Sequence, residues 1–95
     1  MITTVQLRKE LLDDCYRAYS SARDSDRRVR DGIETATNFV ENEPVIDDVR
    51  AWIANVLAAL MRARAVLDNP RDPDGFGIGG VATIRLLVER ARDKL

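Results

Sequence analysis

The chain has 95 residues, the size of a single domain built around one hydrophobic core. Its composition, 45% hydrophobic and 33% charged, is typical of a globular domain and excludes a disordered or fibrous chain. The net charge of -1 argues against a general nucleic-acid binder, and the absence of histidine excludes histidine-based catalysis and histidine-ligated metals. We therefore predict one domain spanning 1–95, with no cofactor and no metal.

Two local features indicate the compartment. The N-terminal segment is charged from Arg8 onward, so we expect no secretory signal, and the longest weakly polar stretch, 51–61, is about half of the ~20 residues that a membrane span needs. The single cysteine, Cys15, has no Cys-x-x-Cys partner, which favours a buried, unreactive thiol. We expect a cytoplasmic protein without a membrane segment.

Apolar residues recur at three- and four-residue steps in 5–22 and again in 29–40, which predicts helix in both segments. Two alternatives follow. Either the polar run around Asp24 caps a separate second helix, or one helix of about 39 residues, roughly 58 Å long, runs unbroken. In the second alternative the N-terminal half extends past its neighbours, and a partner is needed to cover Leu7 and Leu11.

The third helix is predicted from about 44 to 68, because Asn42 or Glu43 can cap it and Pro44 suits a first turn. Trp52 lies beside its apolar stripe, which favours a core position, with a place in an interface as the alternative. The opposite face of this helix is smooth, so a second helix could approach it closely. That face consists of Ala51, Ala54, Ala58 and Ala65.

A linker at 69–80, rich in glycine and proline, follows the third helix. Its Gly75-x-Gly77-x-x-Gly80 matches the letters of the dinucleotide-binding motif. However, that motif requires a preceding β-strand, and the prolines at 70 and 73 exclude one. We therefore predict no nucleotide cofactor here.

The last helix carries Val81, Ile84 and Val88 on one face and leaves Leu86 on the far side. Just before it, Phe76 and Ile78 are large apolar residues in the glycine-rich linker. They either fold back to close the open end of the helices or dock into a partner protein.

Together the segments predict an all-α fold, an antiparallel up-and-down bundle of three to four helices. Charge is divided unevenly along it. Residues 1–48 hold seven basic and eleven acidic groups, whereas 49–95 hold eight basic and five acidic groups. These opposite charges can be satisfied within one bundle or between two chains, and we predict a homodimer.

Nucleic-acid association is one alternative function. A cluster of arginines resembles a phosphate-binding patch, but aspartate and glutamate alternate with it, and the segment 23–34 has no net charge. That alternation is typical of i, i+4 ion pairs on an exposed helix, so we do not expect nucleic acid as the main partner. The cluster consists of Arg23, Arg27, Arg28 and Arg30.

A second alternative is enzymatic. Glu10-x-x-Asp13 and Asp31-x-x-Glu34 are similar in spacing to the acid pairs that hold magnesium in all-α nucleotide pyrophosphatases of the MazG type. This resemblance implies a magnesium-dependent pyrophosphatase. The helical spacing, however, places Glu10 and Asp13 opposite the apolar stripe, where they face solvent.

The function predicted from the sequence is a small, non-catalytic protein-interaction module. Such a regulator, adaptor or assembly subunit acts through association of its helices with a protein partner. The candidate contact residues are large and apolar, since such side chains dominate protein interfaces. They are Leu7, Leu11, Trp52, Phe76, Ile78 and Leu86.

Overall fold

The computed structural model describes residues 1–22, 27–67 and 78–95. Within these ranges the chain forms four α-helices and no strand, which confirms the prediction of an all-α fold. The helices are α1 (Thr4–Ser21), α2 (Arg27–Asn42), α3 (Val49–Leu67) and α4 (Ile78–Asp93).

The first two segments are separate helices, so the alternative of one unbroken helix is wrong. α1 begins in a capping box, in which Gln6 N donates to Thr3 Oγ1 at 3.2 Å and Thr3 N donates to Gln6 Oε1 at 2.9 Å. Its last residue is Ser21, and the capping residue Ala22 has an extended backbone with ψ 133°.

α2 packs back along α1 in the antiparallel direction. Cys15 of α1 lies beside Thr37 of α2, and the Arg30 guanidinium lies 4.6 Å from the centre of the Tyr19 ring. Positions further along α1 thus meet earlier positions of α2. The physical reason is burial: the apolar stripes of both helices are covered when the chain folds back on itself.

The third helix begins later than the sequence predicts. Pro44 lies in a connection between α2 and α3, and Asp48 is the cap, accepting a hydrogen bond on Oδ1 from Ala51 N at 3.1 Å. The connection is tied to the start of α1, because Thr4 Oγ1 donates to the carbonyl oxygen of Ile46 at 2.6 Å. Ile46 itself precedes α3 and is 37% exposed.

All four helices contribute to one hydrophobic core, as the three- and four-residue spacing predicts. Each large side chain that leaves water there stabilises the fold by roughly 1.5 to 3 kcal/mol. The core consists of Leu7, Leu11, Cys15, Ile33, Ala36, Val40, Trp52, Ile53, Val56, Leu60, Val81, Ile84 and Val88.

The closest approach between helices is a backbone contact at the start of α4. A methyl group added at Gly80 would overlap the backbone nitrogen of Ile33 and lie 2.5 Å from the carbonyl oxygen of Val29. Gly32 of α2 is buried at the same contact. Gly80, which belongs to a nucleotide motif by its spacing, thus serves the packing of α4 against α2.

Candidate protein-interaction groove

Three of the six candidate contact residues lie inside the molecule. The exposed fractions of Leu7, Leu11 and Trp52 are 4%, 2% and 0%. These side chains stabilise the chain's own core and are not part of its surface. For Trp52 the alternative of a core position is confirmed.

The other three candidates have different outcomes. Leu86 is 49% exposed on the outer side of α4, as the sequence predicts. Phe76 lies outside the described residues, and of Ile78 only the backbone is described, so the two alternatives for this pair stay predictions.

A long groove runs between α1 and α4, with a volume of about 660 Å³. Its floor is apolar: Leu87 and Ala91 of α4 are only partly buried and stay in contact with water, and beneath them lie the buried side chains of Leu7 and Leu11. Apolar surface left in contact with water in this way is a source of binding free energy for any group that covers it. The groove is therefore the best-formed candidate binding surface of the described chain.

The two rims of the groove carry opposite charges. The α1 rim presents Glu10 and Asp14, and the α4 rim presents Arg90 and Lys94. Arg17 also lies on the α1 side, where its Nη1 atom is 3.6 Å from Asp14 Oδ1. Both members of that pair are well exposed, so their attraction is screened by water and adds little stability.

α1 and α4 run antiparallel along the groove. The start of α1 and the end of α4 lie at the same end of the molecule, where Ile2, Val49 and Leu95 line a shared cavity of about 430 Å³. Arg50 at the start of α3 fixes this end by donating from Nη2 to the carbonyl oxygen of Leu95 at 2.7 Å. Antiparallel neighbours place opposite ends of the helix dipoles together, which is favourable.

Sequence reasoning missed the α4 half of the groove. The apolar stripe of α4 predicts which residues reach the core, but Leu87 is next to that stripe, and Arg90 and Lys94 resemble an ordinary solvated face. One signal was available: Leu87, Arg90 and Lys94 are spaced by three and four residues and so share one side of the helix.

Two other surfaces are less developed. A cleft of about 280 Å³ lies between α1 and α2, beside Tyr16 and Glu34. On α3, the alanine face predicted to receive a second helix is not covered by any described part of the chain, and Ala54, Ala58 and Ala65 are exposed. Within the described ranges no second helix packs on this face, so the close approach that its small residues allow stays a prediction.

The acid pairs do not converge on one point. Glu10 and Asp13 are exposed, which confirms their predicted solvent-facing position, and Glu34 is exposed on α2. In the described ranges no group of three or more cysteine, aspartate or glutamate side chains is placed to hold a metal ion. The groove rims therefore offer charge for recognition and not a set of converging ligands.

Cys15 is fully buried in the core, as predicted. Burial raises the pKa of its thiol from 9.0 to about 11; the nearby Asp14 also raises it, whereas the hydrogen bond with Thr37 lowers it. Because the thiolate is the reactive form, this thiol is a poor nucleophile at neutral pH.

Among the described helices, none has the length and apolar character required to cross a membrane. Comparison with known protein families, curated proteins and solved structures finds no match to this chain.

Proposed function

We propose that this protein is a non-catalytic interaction module that acts through its helical surface, as a regulator, adaptor or assembly subunit, and that it forms a homodimer. The observation that carries the proposal is the groove between α1 and α4, with its apolar floor and charged rims. This combination is the one used by proteins that receive an amphipathic helix, where the floor supplies affinity and the rims supply specificity.

The size of the groove supports a helical occupant. α1 and α4 are 18 and 16 residues long, so the groove between them extends over roughly 25 Å. A partner helix of four or five turns fits that length, and a small metabolite would leave most of the floor uncovered. Ala18 and Ala91 keep the walls low enough for such an approach.

Self-association is supported by the distribution of charge. The first half of the chain is acidic and the second half basic, and α1 and α4 bring one part of each half to the two sides of the groove. Oppositely charged surfaces on one chain favour binding to a second copy, since symmetric dimers are the commonest soluble oligomers.

Sedimentation analysis of two matched variants tests the proposal. Ala91→Arg places a long charged side chain on the groove floor, and Ala58→Arg makes the same change on the exposed face of α3. We expect a dimer at micromolar concentration for the wild type and for Ala58→Arg, and a monomer for Ala91→Arg.

Two outcomes would contradict the proposal. One is a wild-type chain that stays monomeric over a dilution series reaching high micromolar concentration. The other is dissociation by Ala58→Arg with no effect of Ala91→Arg, which would move the interface to the alanine face of α3. Circular dichroism of both variants checks that each keeps its helices.

A further inference from the structure

We infer that a second copy covers the groove, with its own groove facing inward and with α1 of each chain lying against α4 of the other. This inference rests on the proposed function and specifies its partner and geometry. The two copies would then be related by a two-fold axis parallel to the helices, in front of the groove. The four helices that line the two grooves would form a second, intermolecular bundle.

Helix direction supports this arrangement. Rotation about an axis parallel to the helices leaves the direction of each helix unchanged. Because α1 and α4 are antiparallel within one chain, α1 of one copy is also antiparallel to α4 of the other. Every helix of the intermolecular bundle therefore has antiparallel neighbours, the order found in stable four-helix bundles.

Two orientations of the two-fold axis bring the grooves face to face, one parallel and one perpendicular to the helices. The rim charges favour the parallel axis. With the axis parallel to the helices, Glu10 and Asp14 of each copy lie opposite Arg90 and Lys94 of the other. With the axis perpendicular to the helices, α1 meets α1 and α4 meets α4, so two rims of net charge -1 (Glu10, Asp14 and Arg17) and two of net charge +2 (Arg90 and Lys94) oppose each other. Like charges brought together across an interface are unfavourable, so the first arrangement is preferred.

The apolar floor explains why the copies associate at all. Ile2, Leu87, Ala91 and Leu95 are only partly buried in the single chain and lie along the open groove. A second copy offers the same row of apolar side chains. Covering both rows removes them from water, while the charged rims remain at the edge, as in ordinary interfaces with an apolar centre.

Charge exchange between the rims tests the geometry. One variant reverses the acidic rim (Glu10→Lys with Asp14→Lys), one reverses the basic rim (Arg90→Glu with Lys94→Glu), and a third combines all four changes. We expect each rim reversal to weaken self-association about tenfold to a hundredfold, because every rim pair becomes repulsive. The four-site variant restores opposite charges and should dimerise within a few-fold of the wild type.

Mixing the wild type with the four-site variant distinguishes the two arrangements most clearly. Wild type and four-site variant, labelled with different fluorophores, should each form homodimers and fail to exchange subunits, because a mixed pair would place acid against acid and base against base. Preferred formation of mixed dimers would overturn the inference and indicate α1 against α1. Unchanged dimerisation in both rim reversals would also overturn it.

These outcomes are distinct from failure of the proposed function. If Ala91→Arg abolishes the dimer and rim reversal does not weaken it, the groove is the interface but the arrangement inferred here is wrong. If the wild type never associates, the proposed homodimer itself fails. Thermal unfolding of each rim variant, followed by circular dichroism, shows that the exposed substitutions leave the fold intact.

Discussion

The two sides of α4 differ in how closely another helix approaches. On the α2 side, Gly80 lets the backbones of the two helices touch, with no room for even a methyl group. On the α1 side, half-buried Thr83 and Leu87 border an open groove of about 660 Å³. One helix thus has a closed contact that defines the fold and an open contact that is available for binding.

The largest expected effect comes from breaking the closed contact. Gly80→Ala forces a methyl group against the backbone of Val29 and Ile33, which cannot move without shifting α2. We expect a loss of about 3 kcal/mol in the free energy of unfolding, since overpacking against rigid atoms typically costs 1 to 3 kcal/mol. Urea denaturation followed by circular dichroism measures it.

Gly79→Ala is the matched control. A methyl group at Gly79 would lie 3.4 Å from the Val29 Cγ2 atom, an ordinary contact with a side chain. Because Gly79 is exposed in the first turn of α4, where the preference for alanine is smaller than in a helix interior, this substitution should be neutral or slightly stabilising. Equal losses for both substitutions would show that the contact between α2 and α4 is looser than described.

This contact also shows where sequence reasoning ends. Helical spacing predicts that Val81, Ile84 and Val88 face the core, because that depends only on the period of the helix. It does not predict that Gly80 meets α2, because pairing between helices 47 positions apart depends on how all four pack at once. The glycine spacing matches a nucleotide motif only by its letters, and nothing in the sequence indicates that Gly80 contacts α2.

The start of α3 likewise depends on packing that the local sequence does not show. Pro44 and Asp48 are both acceptable near a helix start, so the sequence alone does not rank them. The structure selects Asp48, because the preceding residues are needed to bridge from α2 to α3 and to receive the hydrogen bond from Thr4. The groove could not be predicted from the sequence for a related reason, because its width depends on how far apart α1 and α4 pack and not on the pattern of either helix.

The next effect concerns Cys15, which lies on the closed side of α1. Burial raises the pKa of its thiol from 9.0 to about 11, so the folded chain keeps its proton where the unfolded chain loses it. The contribution of the protonated thiol to the free energy of unfolding is therefore complete below pH 9.0 and is lost as pH rises towards 11. The loss should reach about 2 to 3 kcal/mol.

Cys15→Ala isolates this contribution from other groups that titrate at high pH. The difference in unfolding free energy between wild type and variant should shrink as pH rises, and the wild-type thiol should resist alkylation in the native state at neutral pH. Rapid alkylation of the folded chain would mean that α1 separates from α2 often enough to expose the Cys15 thiol to solvent.

The smallest expected effect is the difference between two adjacent residues of α4, Val88 in the core and Leu87 in the groove. Val88 is fully buried, so Val88→Ala should cost about 2 kcal/mol of stability. Leu87 lies half-exposed in the groove, so Leu87→Ala should cost about 1 kcal/mol in the dilute monomer although it removes more atoms. In sedimentation the order should reverse: Leu87→Ala weakens the dimer and Val88→Ala does not. A larger stability loss for Leu87→Ala than for Val88→Ala would show that the groove is closed in the monomer, leaving no uncovered floor to bind a second chain.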